Sequence, residues 1–140
     1  MFELILVANA IWFALGFHLF AMRSIVFAKI LVPREHRETP VFGMLTATGK
    51  FMGGFNLAFC ALSLLLVFFS SAFPADEARG ILFAVFALAH GSQFVANVPV
   101  ALDNRKGGGV WQVKGLMRFI FVTDFTLMTF NAALAAHYFL

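Results

Sequence analysis

Four polar side chains stand near the centres of long apolar stretches: Asn56, His90, Gln93 and Asp124. A histidine and a carboxylate held together can pass a proton, so His90 and Asp124 form a candidate acid–base or relay pair. The same residues suit a plain interhelical hydrogen bond, with Asn56 as another partner for Asp124. A carboxylate in such surroundings must be neutral or paired. A second set, His18, Lys50, Asn97 and Arg118, lies about 8–10 Å nearer one end of its stretches, one residue on each. Together these four suit the anionic head group of a lipophilic molecule. Taken singly, Lys50 and Arg118 can also extend their charges to the nearest polar boundary.

Other chemistries lack their residues. No histidine pair has metal spacing, and no phosphate-binding loop, serine elbow or CxxC motif is present. Zinc hydrolysis, ATP hydrolysis and thiol oxidoreduction are therefore unsupported, and no metal site is expected. Cys60 is the only cysteine, which excludes an internal disulfide and a cysteine metal site. Haem b on His90 is the one cofactor alternative to none. It needs a second ligand at similar depth, and His18 is offset by about 9 Å along the axis.

The elements that must position these groups are set by composition. The chain has 140 residues, 61% hydrophobic and only 12% charged, with 20 Phe. A soluble domain carries about 25% charge. Water is not the expected solvent, and the length fits a single domain over residues 1–140. Four stretches are long enough to cross a hydrocarbon core of about 30 Å: Leu4–Met22, Phe51–Phe69, Ile81–Leu102 and Leu116–Tyr138. Backbone groups in lipid must bond within their own segment, so each stretch is expected to be a helix. The expected fold is all-α: an integral membrane domain of four transmembrane helices in an antiparallel up-down-up-down bundle.

Local signals refine the boundaries. Pro33 stops the first helix, which can run past Met22 to Val32. Thr39 followed by Pro40 reads as an N-cap and first helical residue, starting the second helix near Val41. Helices 1 and 2 would then either project beyond the bilayer or tilt. The first stretch lacks a basic leader and is read as a mature helix rather than a secretory signal. Pro99 frees the carbonyl of Val95 and is expected to kink the third helix beside Asn97. Gly107–Gly109 reads as a flexible connector.

The ten basic residues are placed unevenly. Arg23, Lys29, Arg34, Arg37 and Lys50 flank the first connection, and Arg105, Lys106, Lys114 and Arg118 flank the third. Only Arg79 lies at the opposite ends. Lys and Arg near span ends are retained in the cytoplasm. The loops near residues 33–40 and 103–114 are therefore expected inside, with both termini outside. Short loops and no targeting signal point to a bacterial inner membrane. The net charge of +3 is thus assigned to a membrane surface, and nucleic acid is not an expected partner.

Spacing sorts the polar groups onto faces. Phe86, His90, Gln93 and Asn97 share a face on the third helix, and Met117, Asp124, Met128 and Asn131 share one on the fourth. Gly49, Gly53, Asn56, Cys60, Ser63 and Ser70 do so on the second, with Val67 filling the gap. Gly49 and Gly53 make a GxxxG spacing that allows close backbone approach, within the bundle or between copies. Lys50 and Arg118 fall about 120° off their stripes. On the first helix, Asn9 and His18 lie on opposite sides.

These features point first to a small membrane protein that binds a lipophilic, anionic ligand or membrane lipid, or that serves as an accessory subunit of a membrane complex. Two alternatives follow from the same residues: a membrane-embedded enzyme using His90 and Asp124 on a lipid-like substrate, and a proton-coupled transporter acting as a homo-oligomer. The plan of four spans with outward termini resembles that of the membrane-associated eicosanoid and glutathione metabolism proteins. The resemblance is one of topology. That family's second span carries Arg-x-x-x-Asn-x-x-Glu, whereas here Lys50 precedes Asn56 by six positions and Phe59 stands in place of the Glu.

Overall fold

The computed structural model describes residues 2–109 and 111–140. It is all-helical, 86% helix, with no strand among the described residues. Five α-helices follow in order: α1 (Phe2–Phe17), α2 (Ser24–Leu31), α3 (Pro40–Phe68), α4 (Asp76–Arg105) and α5 (Leu116–Phe139). A π turn, His18–Met22, carries α1 onward. Among the described residues, four stretches are long and apolar enough to cross a membrane: Phe2–Met22, Pro40–Phe68, Asp76–Arg105 and Leu116–Phe139. The 29 residues of α3 and the 30 of α4 are the longest. At 1.5 Å per residue they reach about 44 Å, well beyond a hydrocarbon core.

The chain divides into two compact units, residues 6–65 and residues 1–5 with 66–140. In the first unit, α1 and the π turn lie antiparallel to α3. Phe13 stacks on Phe59 at 5.1 Å, Gly16 abuts the Asn56 side chain, and Ala21 abuts Gly53. Residue numbers rise on one helix as they fall on the other. The π turn is closed by the Arg23 N–H donating to the His18 carbonyl at 2.9 Å. Such a turn is wider than an α turn. Gly49 and Gly53 lie opposite it, against the Phe20 carbonyl and the Ala21 backbone. The GxxxG spacing therefore serves packing within this hairpin.

The connection between α2 and α3 is held by Arg37. Pro33 cannot continue α2, and the last carbonyls of that helix need partners. The Arg37 guanidinium reaches back to supply them, donating to the Lys29 and Val32 carbonyls at 2.8 and 3.0 Å. Helix α3 starts at Pro40 as expected. Thr39 does not cap it with its side chain, however. Its hydroxyl donates to the His36 carbonyl at 2.8 Å, closing the preceding turn.

In the second unit, α4 and α5 form another antiparallel hairpin. The pairs Phe83–Tyr138, Gly91–Met128 and Phe94–Phe121 run in opposite numerical order. At one end Arg79 lies over the rings of Phe2 and Tyr138 and donates to the Phe73 carbonyl. Helix α4 continues through Pro99. It ends at Arg105, and two residues on stands Gly107, whose φ of +82° suits glycine. There the Gly107 and Gly108 N–H groups close on the Asn104 and Asp103 carbonyls, a Schellman ending.

Burial is inverted relative to a protein built for water. Asn9, Ser63, His90, Asp124 and Asn131 are 0% exposed, while Phe68 is 75%, Leu88 72% and Phe51 69% exposed. Exposed hydroxyls on these helices are satisfied locally. Thr48, Ser92, Thr126 and Thr129 each donate to a carbonyl three or four residues back. An apolar solvent would therefore meet no unmade donor at those positions.

Candidate functional site

The α4–α5 hairpin brings His90 and Asp124 together. Nδ1 of His90 lies 3.2 Å from Oδ1 of Asp124, and both side chains are fully buried. This contact requires a proton between the nitrogen and the oxygen, whichever atom owns it. A net-neutral pair is the cheapest to bury. Phe86, one turn before His90, is fully buried, as is Asn131 about two turns after Asp124. The Asn131 amide donates to the Leu127 carbonyl at 2.7 Å, which fixes its rotamer. Towards the loop the pair is followed by Phe94, stacked on Phe121 at 4.6 Å and tilted against Phe125 at 5.0 Å. These rings close the hairpin on that side of the pair.

The remaining expected residues separate into different settings. Asn56 is buried in the other unit, donating to the Met52 carbonyl and pressed against Gly16. Gln93 is half-buried on α4. Its carbonyl receives the Asn97 amide at 2.9 Å, and Asn97 in turn accepts the Trp111 indole N–H at 3.2 Å. His18 and Lys50 are exposed. Arg118 is exposed at the start of α5.

Arg118 joins a grouping that spacing did not reveal. It lines a cleft of about 630 Å³ together with Arg105, Lys114, Phe121 and Val122. The floor is carried by the segment between α4 and α5, which is not a loose connector. One side chain, Asn104, donates to the Gly108 and Trp111 carbonyls, both at 2.9 Å, and accepts the Val113 N–H at 2.7 Å. The Trp111–Asn97 bond pins the same segment to α4. Gly109, at φ +104°, provides the bend that Asn104 grips. Arg105 and Lys114 were legible in sequence only as topology-setting charges. The signal that they converge is the Asn-x-x-Gly-Gly-Gly ending, in which Asn104 stands where it can staple the turn.

Among the described residues, no group of three or more His, Cys, Asp or Glu is placed to hold a metal ion. No family model, curated protein or solved structure matches the chain. The topological likeness noted from the four spans thus has no counterpart in these comparisons.

Proposed function

We propose that the chain is an integral membrane protein, its four long helical stretches crossing the bilayer up-down-up-down. In this reading it binds a lipophilic, anionic molecule or acts as an accessory subunit of a larger membrane complex. One observation carries the reading: Asn9, His90, Asp124 and Asn131 are withdrawn from the surface, while large side chains such as Phe51, Phe68 and Leu88 face outward. In water that arrangement forfeits apolar burial worth about 1.5–3 kcal/mol per large side chain. In hydrocarbon the outward residues lose nothing, and the polar ones must turn inward. The charge asymmetry supports an orientation with both termini outside and the loops near residues 33–40 and 103–114 in the cytoplasm.

The orientation is tested on a Cys60→Ser background with single replacements Glu35→Cys, Lys106→Cys, Glu77→Cys and His137→Cys. A membrane-impermeant maleimide applied to spheroplasts is expected to label positions 77 and 137 only. Labelling of 35 or 106 under the same conditions contradicts the orientation. Release of the protein by alkaline carbonate contradicts membrane insertion itself.

A second reading, proton transfer on a lipid-like substrate, is favoured by the His90–Asp124 contact alone. Lipid turnover in reconstituted vesicles that is lost on both Asp124→Asn and His90→Gln replacement would select it over binding.

A further inference from the structure

We propose that the cleft at the loop end of α4 and α5 binds the phosphate of an anionic phospholipid, with Arg105, Lys114 and Arg118 on the phosphate and Phe121 and Val122 along the start of an acyl chain. The proposal rests on the membrane reading above and names the ligand class and its place.

Charge is the first support. Three cationic side chains line one cleft. Among the described residues, the ion pairs are Arg79–Asp76 and His90–Asp124, so no carboxylate lies within 4 Å of the three cations. An anion relieves their mutual repulsion, and a phosphodiester can take a two-pronged contact from an arginine.

Shape is the second. Arg118 and Val122 are four residues apart on α5 and so lie one above the other on a single face. A head group held by Arg118 would have its first methylenes against Val122. The apolar track continues along α5 through Phe125, 47% exposed. A free phosphate ion would make no use of that wall.

Rigidity is the third. Lys114 follows the segment stapled by Asn104 and Trp111, so little backbone freedom is lost when a ligand arrives. The cleft also lies beside the loop assigned to the cytoplasm, where anionic head groups create a negative surface potential.

The test is native mass spectrometry of the delipidated protein in micelles carrying phosphatidylglycerol, phosphatidylcholine or inorganic phosphate. Wild type should bind one phosphatidylglycerol at least about tenfold more tightly than phosphatidylcholine, with millimolar phosphate failing to displace it. A variant combining Arg105→Gln, Lys114→Gln and Arg118→Gln should lose that preference. A control combining Arg23→Gln, Lys29→Gln and Arg34→Gln removes the same charge elsewhere and should keep it. Arg118→Lys keeps charge but not the planar fork and should weaken binding about tenfold. Equal loss in both triple variants overturns the proposal, as does equal binding of the two lipids. Saturation by inorganic phosphate with displacement of lipid reassigns the cleft to free phosphate and overturns it too. Carbonate extraction of the same preparations separates the outcomes: a protein retained in membranes without the lipid preference loses only the cleft proposal.

Discussion

Replacing Gly53 by alanine should separate two helices that now touch. A Cβ at that position would stand 2.5 Å from the Ala21 Cβ, 2.7 Å from its backbone nitrogen and 3.0 Å from its Cα. Two of those atoms are backbone and cannot swing away. Contact distances near 3.5–4.0 Å then require a separation of about 1 Å between α3 and the π turn. Overpacking of this kind costs about 1–3 kcal/mol, and alanine's better helix propensity returns up to about 1 kcal/mol. A net loss of about 1–2 kcal/mol is expected for Gly53→Ala. The adjacent Gly54 supplies the control, because a Cβ there meets nothing within 4 Å. Gly54→Ala should be neutral or stabilising by up to about 1 kcal/mol. Denaturant titration in mixed micelles, followed by circular dichroism, compares the two directly. Equal stabilities would refute the close approach of α3 to the π turn.

Two further substitutions probe the other hairpin. Asp124→Ala leaves His90 buried without its carboxylate and should cost about 3–5 kcal/mol, whereas Asp124→Asn keeps a hydrogen-bonding group and should cost about 1 kcal/mol. The same titration reads both, and equal losses would show that the contact contributes nothing beyond volume. Asn104→Ala removes three hydrogen bonds from the α4–α5 segment. The Val113 amide should then exchange its hydrogen about tenfold faster or more, with little change at amides near Asp124.

Much of the helix plan was legible because the signals were local. Pro33 and Pro40 bracket the first connection in sequence, and α3 does begin at Pro40. Hydropathy marked the apolar centres but not the helix ends. Helix α4 starts at Asp76, five residues before Ile81, and runs on to Arg105, because polar residues continue a helix until a turn residue such as Gly107 stops it. Residue type and depth require a partner for Asp124 but leave His90, Asn56 or a cation open, and the hairpin brings His90 to it.

What stayed hidden depended on side chains reaching across turns. The π turn at His18–Met22 has no marker in composition, and its only trace is the pair of small residues Gly49 and Gly53 opposite it. Arg37 reads in sequence as one more cation, yet it caps α2. The layer of His18, Lys50, Asn97 and Arg118 rests on depth alone, and equal depth does not fix direction around a helix. Lys50 and Arg118 lie well off the polar stripes of their helices, and both are exposed. Convergence of Arg118 with Arg105 and Lys114 depends on a loop path set by Asn104, a contact no periodicity can display.

The inverted burial is tested most directly by spin labels in reconstituted vesicles. On the Cys60→Ser background, labels at Phe55, Leu88 and Phe125, all exposed apolar positions, are compared for collision with oxygen and with a water-soluble nickel chelate. Hydrocarbon contact predicts strong oxygen collision and almost none with nickel at all three. Strong nickel collision at Leu88 or Phe125 would put water against those faces and contradict the bilayer as this protein's solvent.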